Sequence, residues 1–370
     1  MALTLESYPT DLSSVSSECL FVVSSTEALD PVTYPNYKFV ADVYVASTLV
    51  ARLKAFPDPT NSLGVFDISK VLQPYFATQF DGVTDKVDYV VRLAYQVKLG
   101  QEYSDTLYTN LVTDSTRYVA NTYKPRPFTS SVVLANGLAS NMPDTITCLG
   151  NPVLFQLIPH FSNVSGVSNL TVTYKNEAGA TLNSNSFDNS DFIANKLRVY
   201  NIENSSTSTS YALLSGPFSL RINYQCSKYP VHTLAWLNPY GGYESQTFGL
   251  VSKKTIDVTR KSFSQLPYRV SSGGDITYTA NGVYYGGRRG FSTNTKTRLK
   301  MTSHILTDEE YEWLADLFIS PEVYFCIDGS TWIPVQVSTN AYEYRTYLNS
   351  RLTPLEFEVE FSDDYNGQFL

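Results

Sequence analysis

The stretch YKFVADVYVASTLVARLKAFPDP, residues 37–59, decides the class of the fold. It holds two runs of alternating apolar side chains split by a short polar turn around Ser47 and Thr48. A two-residue period is that of a strand packed on one face, so the stretch predicts a β-hairpin. Pro57 and Pro59 end it, since neither can donate to a sheet ladder.

The same grammar continues outward. FDISKVLQPYF (66–76) predicts a short helical turn, capped by Asp67 or Ser69 and limited by Pro74. KVDYVVRLAYQVKLG (86–100) returns to strand. Residues 1–123 therefore predict one immunoglobulin- or fibronectin-like sandwich. KPRPF (124–128) reads as a linker, because two prolines a residue apart favour an extended spacer. Residues 124–231 predict a second sandwich from VLFQLIPHF, LTVTYKNEAGATL, KLRVYNI, YALLS and FSLRINYQC, with polar Asn/Ser loops at 183–191 and 203–210.

Residues 232–370 form the third expected domain, β-rich with one α-helix. LTDEEYEWLADLFIS (306–320) carries that helix, at about 307–319. Thr307 and Glu310 have capping-box spacing, acids fill the first turn, and Leu314, Leu317 and Phe318 make an apolar stripe. Hairpins are expected at Asn281–Gly282 and at Asp328–Gly329, and EFEVEF (356–361) is the last strand. The fold class is thus all-β, tandem sandwiches followed by a β-rich domain with one helix.

Composition supports that class. The 370 residues exceed what one core usually holds, and only 17% are charged while 28 are Tyr and 20 are Phe. The net charge of −8 argues against sequence-specific nucleic-acid binding and a polybasic membrane anchor. The first basic residue is Lys38, so the N-terminal stretch lacks the positive region of a secretory signal. No apolar run nears the ~18 residues of a membrane span. Folding where the chain is made, or export by another route, is the expectation, without membrane insertion. Cys19, Cys148, Cys226 and Cys326 are scattered singly, and all four are expected to be small buried hydrophobes.

Catalytic signatures are sparse. His160, His232 and His304 lie in unlike contexts, and no G-x-S-x-G surrounds any serine. No phosphate-binding loop is present; YYGGRRGF (284–291), with Arg288 and Arg289 between glycines, reads as a hairpin tip or as a loop that binds an anion or a partner. Asp363 and Asp364 fall short of a calcium loop, and no cofactor is expected.

Glu356, Glu358 and Glu360 are the best enzymatic candidates. Residues i and i+2 project from one strand face about 6.5–7 Å apart, near the spacing of paired glycosidase carboxylates. E-x-E-x-E superficially resembles the acidic strand of laminarinase-like jelly-roll glycosidases. That family has an aspartate in the middle, however, and its aromatic subsites share the acidic face, whereas the aromatics here alternate to the other one.

Charge distribution suggests assembly instead. Residues 252–300 hold ten Lys/Arg, among them Lys253, Lys254, Arg260, Lys261, Arg288 and Arg289, against Asp257 and Asp275, a balance of +8. Residues 301–370 hold thirteen acids against Arg345 and Arg351, a balance of −11. The glutamates and these cations either pair within one sheet or join one copy's acidic face to the next copy's basic face. Repeated with a closing rotation, the second arrangement builds a ring.

WLNPYGGYESQTF with VTRKSF (236–248, 258–263), LTDEEYEWLADLFISPEVYFCIDG (306–329) and YKFVADVYV with RLKAFPDP and FDIS resemble virion structural proteins of tailed bacteriophages, especially phages of marine bacteria and Bacteroidetes. The resemblance implies a non-enzymatic tail, baseplate or head–tail ring component. It would be present in many copies, partnered by itself and by other tail or connector proteins, and assembled into the virion in the host cytoplasm. Alternatives are a tail adhesin whose tyrosines and Asn/Ser loops bind a host receptor or surface glycan, and a virion-associated glycoside hydrolase using the strand glutamates.

Overall fold

The computed structural model describes residues 3–9, 12–76, 80–90, 92–122, 138–150, 153–162, 165–193, 196–204, 206–329, 331–339, 354–362 and 365–366. Strands account for 56% of the structure and helix for 7%, so the class is all-β with several sandwich-like sheets. The KPRPF stretch and Asp363–Asp364 lie outside the described residues.

The N-terminal strands are β1 (Leu3–Ser7), β2 (Leu12–Ser14), β3 (Leu20–Ser25), β4 (Lys38–Val45), β5 (Thr48–Ala55), β6 (Gly64–Asp67), β7 (Lys86–Val90), β8 (Arg92–Tyr103), β9 (Thr106–Thr113) and β10 (Arg117–Ala120). One sheet has the order β1-β3-β6. The other runs β2-β10-β8-β4-β5, with β9 also on β8. Phe21, Val23, Phe39, Val43, Val97 and Leu99 are buried between them.

The opening hairpin is β4–β5, and its turn is Ala46–Ser47, with Val45 opposite Thr48. The turn thus sits one residue earlier than the polarity of the sequence suggests. Both turn residues have positive φ, 48° and 67°, the backbone whose twist matches that of a two-residue hairpin. The short helix α1 (Ser69–Leu72) runs into a 3-10 turn, Gln73–Phe76, and Asp67 Oδ1 accepts the N–H groups of Ser69 and Cys19.

The middle strands are β11 (Thr145–Leu149), β12 (Val153–Phe161), β13 (Leu170–Lys175), β14 (Thr181–Phe187), β15 (Lys196–Asn204), β16 (Tyr211–Ser215) and β17 (Leu220–Gln225). Five form the sheet β11-β17-β16-β13-β14. The other sheet is β12-β15-β7. β7 therefore crosses from the N-terminal stretch into the second sandwich. Arg198, 3% exposed, fixes it there by gripping Asp88 of β7 at 2.6 and 2.9 Å and reaching Asp191 at 2.9 Å.

The expected loop 183–191 is corrected. Residues 183–187 belong to β14, paired along its length with β13. TLNSNSF sits at a sheet edge, almost wholly exposed, so nothing demands apolar alternation and the strand reads as loop. Glu203 and Asn204, expected in the second loop, end β15.

The last strands are β18 (His232–Leu237), β19 (Tyr243–Phe248), β20 (Lys253–Ser264), β21 (Arg269–Val270), β22 (Ile276–Thr277), β23 (Thr279–Ala280), β24 (Val283–Tyr284), β25 (Arg288–Ile305), β26 (Val323–Cys326), β27 (Trp332–Val337), β28 (Pro354–Phe361) and β29 (Tyr365–Asn366). The main sheet runs β19-β18-β26-β27-β28-β25-β20, with β29 also on β25. Helix α2 (Asp308–Ile319) buries Trp313, Leu314 and Leu317 as its spacing requires.

Trp313 packs on Trp236 with ring centroids 5.4 Å apart, inside a core shared with Ile146, Val172 and Ile222 of the middle sheet. The two C-terminal regions, separate in the sequence reading, are continuous through this core. Cys19, Cys148 and Cys326 are buried. Cys226 is exposed, contrary to expectation, because it follows the last residue of β17 and has left the core face.

Among the described residues no helix is long and apolar enough to cross a membrane.

Candidate functional site

The expected chemistry converges on β20, β25 and β28. On β28, Leu355, Phe357 and Val359 are buried, which turns Glu356, Glu358 and Glu360 to the opposite face. β25 runs antiparallel beside it, setting Arg298 opposite Glu360, Lys300 opposite Glu358 and Thr302 opposite Glu356.

The glutamates meet cations of their own chain. Lys296 Nζ lies 2.6 Å from Glu360, and Lys300 Nζ lies 2.5 Å from Glu356. Arg298 spans Glu360 at 3.1 Å, Glu358 at 3.6 Å and Asp257 of β20 at 3.4 Å. The hydrogen bond from Lys296, followed by that from Arg298, holds the Glu360 carboxyl below its usual range. A glycosidase acid needs a raised pKa, so this carboxylate is set for charge pairing rather than proton donation.

The other cations named from the sequence are not brought to the glutamates. Lys253 and Lys254 stand opposite Lys300 and Leu299, and Arg260 and Lys261 opposite Thr293 and Ser292. Arg288 and Arg289 stand opposite Ser264 and Phe263. Arg288 Nε donates to Ser262 Oγ at 2.7 Å. Among the described residues, none of these six cations forms an ion pair. Lys296, Arg298 and Lys300, counted in the sequence only as part of a basic run, prove to be the partners of the acidic strand.

Beyond Asn294, where β29 still pairs with β25, the sheet narrows to a ribbon of β20 and β25. Among the described residues β20 is paired only with β25, over 12 residues, about 37 Å at strand rise. The two small hairpins β21–β22 and β23–β24 lie at its far end. The second has the expected Asn281–Gly282 turn, with φ of 49° and 77°.

Nearly every residue from Lys253 to Phe291 is exposed. Ile256, Val258, Phe263, Leu266, Val270, Ile276, Val283 and Phe291 are all in the open. A bare two-stranded ribbon is marginally stable, and uncovered apolar side chains on one mark an interaction surface.

Two other titratable clusters are closed to solvent. Glu244 is fully buried, and burial pushes its carboxyl up to about 7, although Asn238, Ser140 and Trp313 all donate to it. Glu310 is 2% exposed and clamps two units together. Its Oε1 accepts the N–H of Thr147 on β11 at 2.8 Å. Its Oε2 accepts that of Thr307 at 3.0 Å and lies 3.3 Å from His304 Nε2. Burial raises its pKa, but the bonds from His304, Thr307 and Thr147 outweigh burial and hold it below the ordinary value. The capping box was legible from spacing; the bond to Thr147, 163 residues away, was not. No group of three or more His, Cys, Asp or Glu among the described residues is placed to hold a metal.

No protein-family model matches the chain, and no curated protein matches it significantly.

Proposed function

We propose that the protein is a non-enzymatic virion structural component of a tailed bacteriophage, a tail, baseplate or head–tail ring subunit that assembles in many copies through its basic ribbon. The observation that carries this reading is the ribbon itself: a cation-rich element, two-stranded at its outer end, whose apolar side chains no described residue covers. Each such side chain, once fully buried, contributes about 1.5–3 kcal/mol, so a handful suffices to hold a subunit contact. The glutamates at its root are already occupied by Lys296, Arg298 and Lys300, which leaves the outer cations for a partner. The phage assignment rests on the resemblance of the quoted segments, and the assembly role on the ribbon.

The test joins Val258 to Thr295, which are directly opposite, through an Asn-Gly turn, removing the outer ribbon with Arg260, Lys261, Arg288 and Arg289 while keeping its base. Purified full-length chain should form rings or other multi-copy particles in electron micrographs, fewer at high salt as ions screen the steering charges. The shortened chain should remain monomeric. Full-length chain that stays monomeric at high concentration, or shortened chain that assembles equally well, refutes the reading.

A further inference from the structure

The ribbon's partner can be narrowed by charge. Its segment, residues 252–300, carries +8 while the whole chain carries −8, so the rest of each copy carries −16. Two ribbons laid edge to edge would set Lys253, Lys254, Arg260 and Lys261 of one copy against the same cations of another, and lysines on an exposed edge oppose such pairing. The contact is therefore of unlike surfaces, ribbon against body.

The body offers, among the described residues, a place with both features the ribbon requires. A cleft of about 790 Å³ lies between α2 and the chain leading into β11, with Pro143 and Ile319 supplying apolar surface above the buried Met142, and Asp144, Glu309 and Glu312 supplying charge. Ile319 is 61% exposed although it ends a helix whose other large apolar residues are covered or partly covered. Asp144, Glu309 and Glu312 are exposed and form no ion pair among the described residues. Uncovered apolar surface ringed by unpaired acids on the body matches uncovered apolar surface ringed by unpaired cations on the ribbon.

We infer that this cleft is the docking site for the ribbon of a second copy of the chain, with Asp144 and Glu312 facing its outer cations. The inference rests on the ribbon's being the assembly element. A head-to-tail contact of this kind carries each copy's ribbon onto the next copy's α2, and the series closes into a ring or extends into a tube according to its rotation.

The test is charge reversal and its rescue, followed by light scattering. Asp144→Lys with Glu312→Lys on the cleft should weaken association at least about tenfold, as should Arg288→Glu with Arg289→Glu on the ribbon. Neither cleft residue belongs to the capping box or the core, and an unchanged tryptophan fluorescence melt verifies the fold. Mixing the two reversed chains should restore contact between them, since acidic ribbon then meets basic cleft.

Loss on ribbon reversal with no loss on cleft reversal overturns the cleft while leaving the ribbon's role intact. No loss from either overturns both, and loss from both without rescue overturns the pairing. A second measurement needs no change in affinity. In a Cys226→Ser background, a chain with Glu312→Cys mixed with one carrying Arg289→Cys should give an oxidative cross-link between the unlike chains. Cross-links only between two Arg289→Cys chains would place ribbon on ribbon and defeat the inference.

Discussion

Glu310 offers the most discriminating perturbation of the C-terminal region. Its carboxylate accepts from Thr147 on the middle sheet and from Thr307 at the start of α2, and it contacts His304 on β25, all at 2% exposure. Glu310→Ala leaves the Thr147 N–H and His304 without their acceptor. Hydrogen bonds to a charged group contribute about 1.5–3 kcal/mol each, but the desolvation that burial imposed is relieved when the charge goes. Leaving the buried Thr147 N–H without an acceptor costs about 1–3 kcal/mol, and loss of the Thr307 bond adds about 1, so the expected loss is about 2–4 kcal/mol. Thr307→Ala removes only the helix cap and should cost about 1 kcal/mol. Glu310→Gln keeps one acceptor oxygen and should fall between them. The assay is urea unfolding followed by tryptophan fluorescence, because Trp236, Trp313 and Trp332 are the chain's only tryptophans and all lie in the C-terminal region. If Glu310→Ala costs no more than Thr307→Ala, the residue is merely a cap and its role as a clamp between units is wrong.

The remaining predictions concern charge and pH. Glu356→Gln, Glu358→Gln and Glu360→Gln should each move the melting temperature by no more than about 2–4 °C, because these ion pairs are partly solvated; a larger drop in calorimetry would show that the charge ladder is a stability element. Glu244 acts in the opposite sense to Glu310. Burial raises its folded pKa to about 7 from 4.5, so its stabilising contribution is present in full below pH 4.5 and is lost as pH rises to about 7, a decline of up to ~3 kcal/mol. Glu310, with its lowered folded pKa, contributes above about pH 4.5 and loses that contribution as pH falls through its folded value. Melts of the wild type and of Glu244→Gln across pH 4–8 check this: the variant should lose the decline between 4.5 and 7, and an unchanged slope would assign it to another group.

Much of the fold was legible from local pattern. β4–β5 and β28 show clean alternation because one face of each meets a core, and α2 shows its stripe and capping box because both depend on residues three or four apart. β14 was not legible, since an exposed edge strand has no apolar face to display. The turn at Ala46–Ser47 was misplaced by one residue because neither is a residue that advertises positive φ.

What the sequence determined by itself, then, was the all-β class, the capped helix and the bipolar charge of the last third, each a consequence of side-chain period, near-neighbour hydrogen bonding or simple counting. The tertiary structure decided which charges meet. Register puts Lys296, Arg298 and Lys300 against the acidic strand because β25 lies beside β28, while the cations farther along β20 and β25 are carried past the end of that strand. It also decided that β7 joins the second sandwich and that Glu310 ties Thr147 to α2. Those contacts span more than a hundred residues, and no periodicity in a chain encodes which distant strand will be its neighbour.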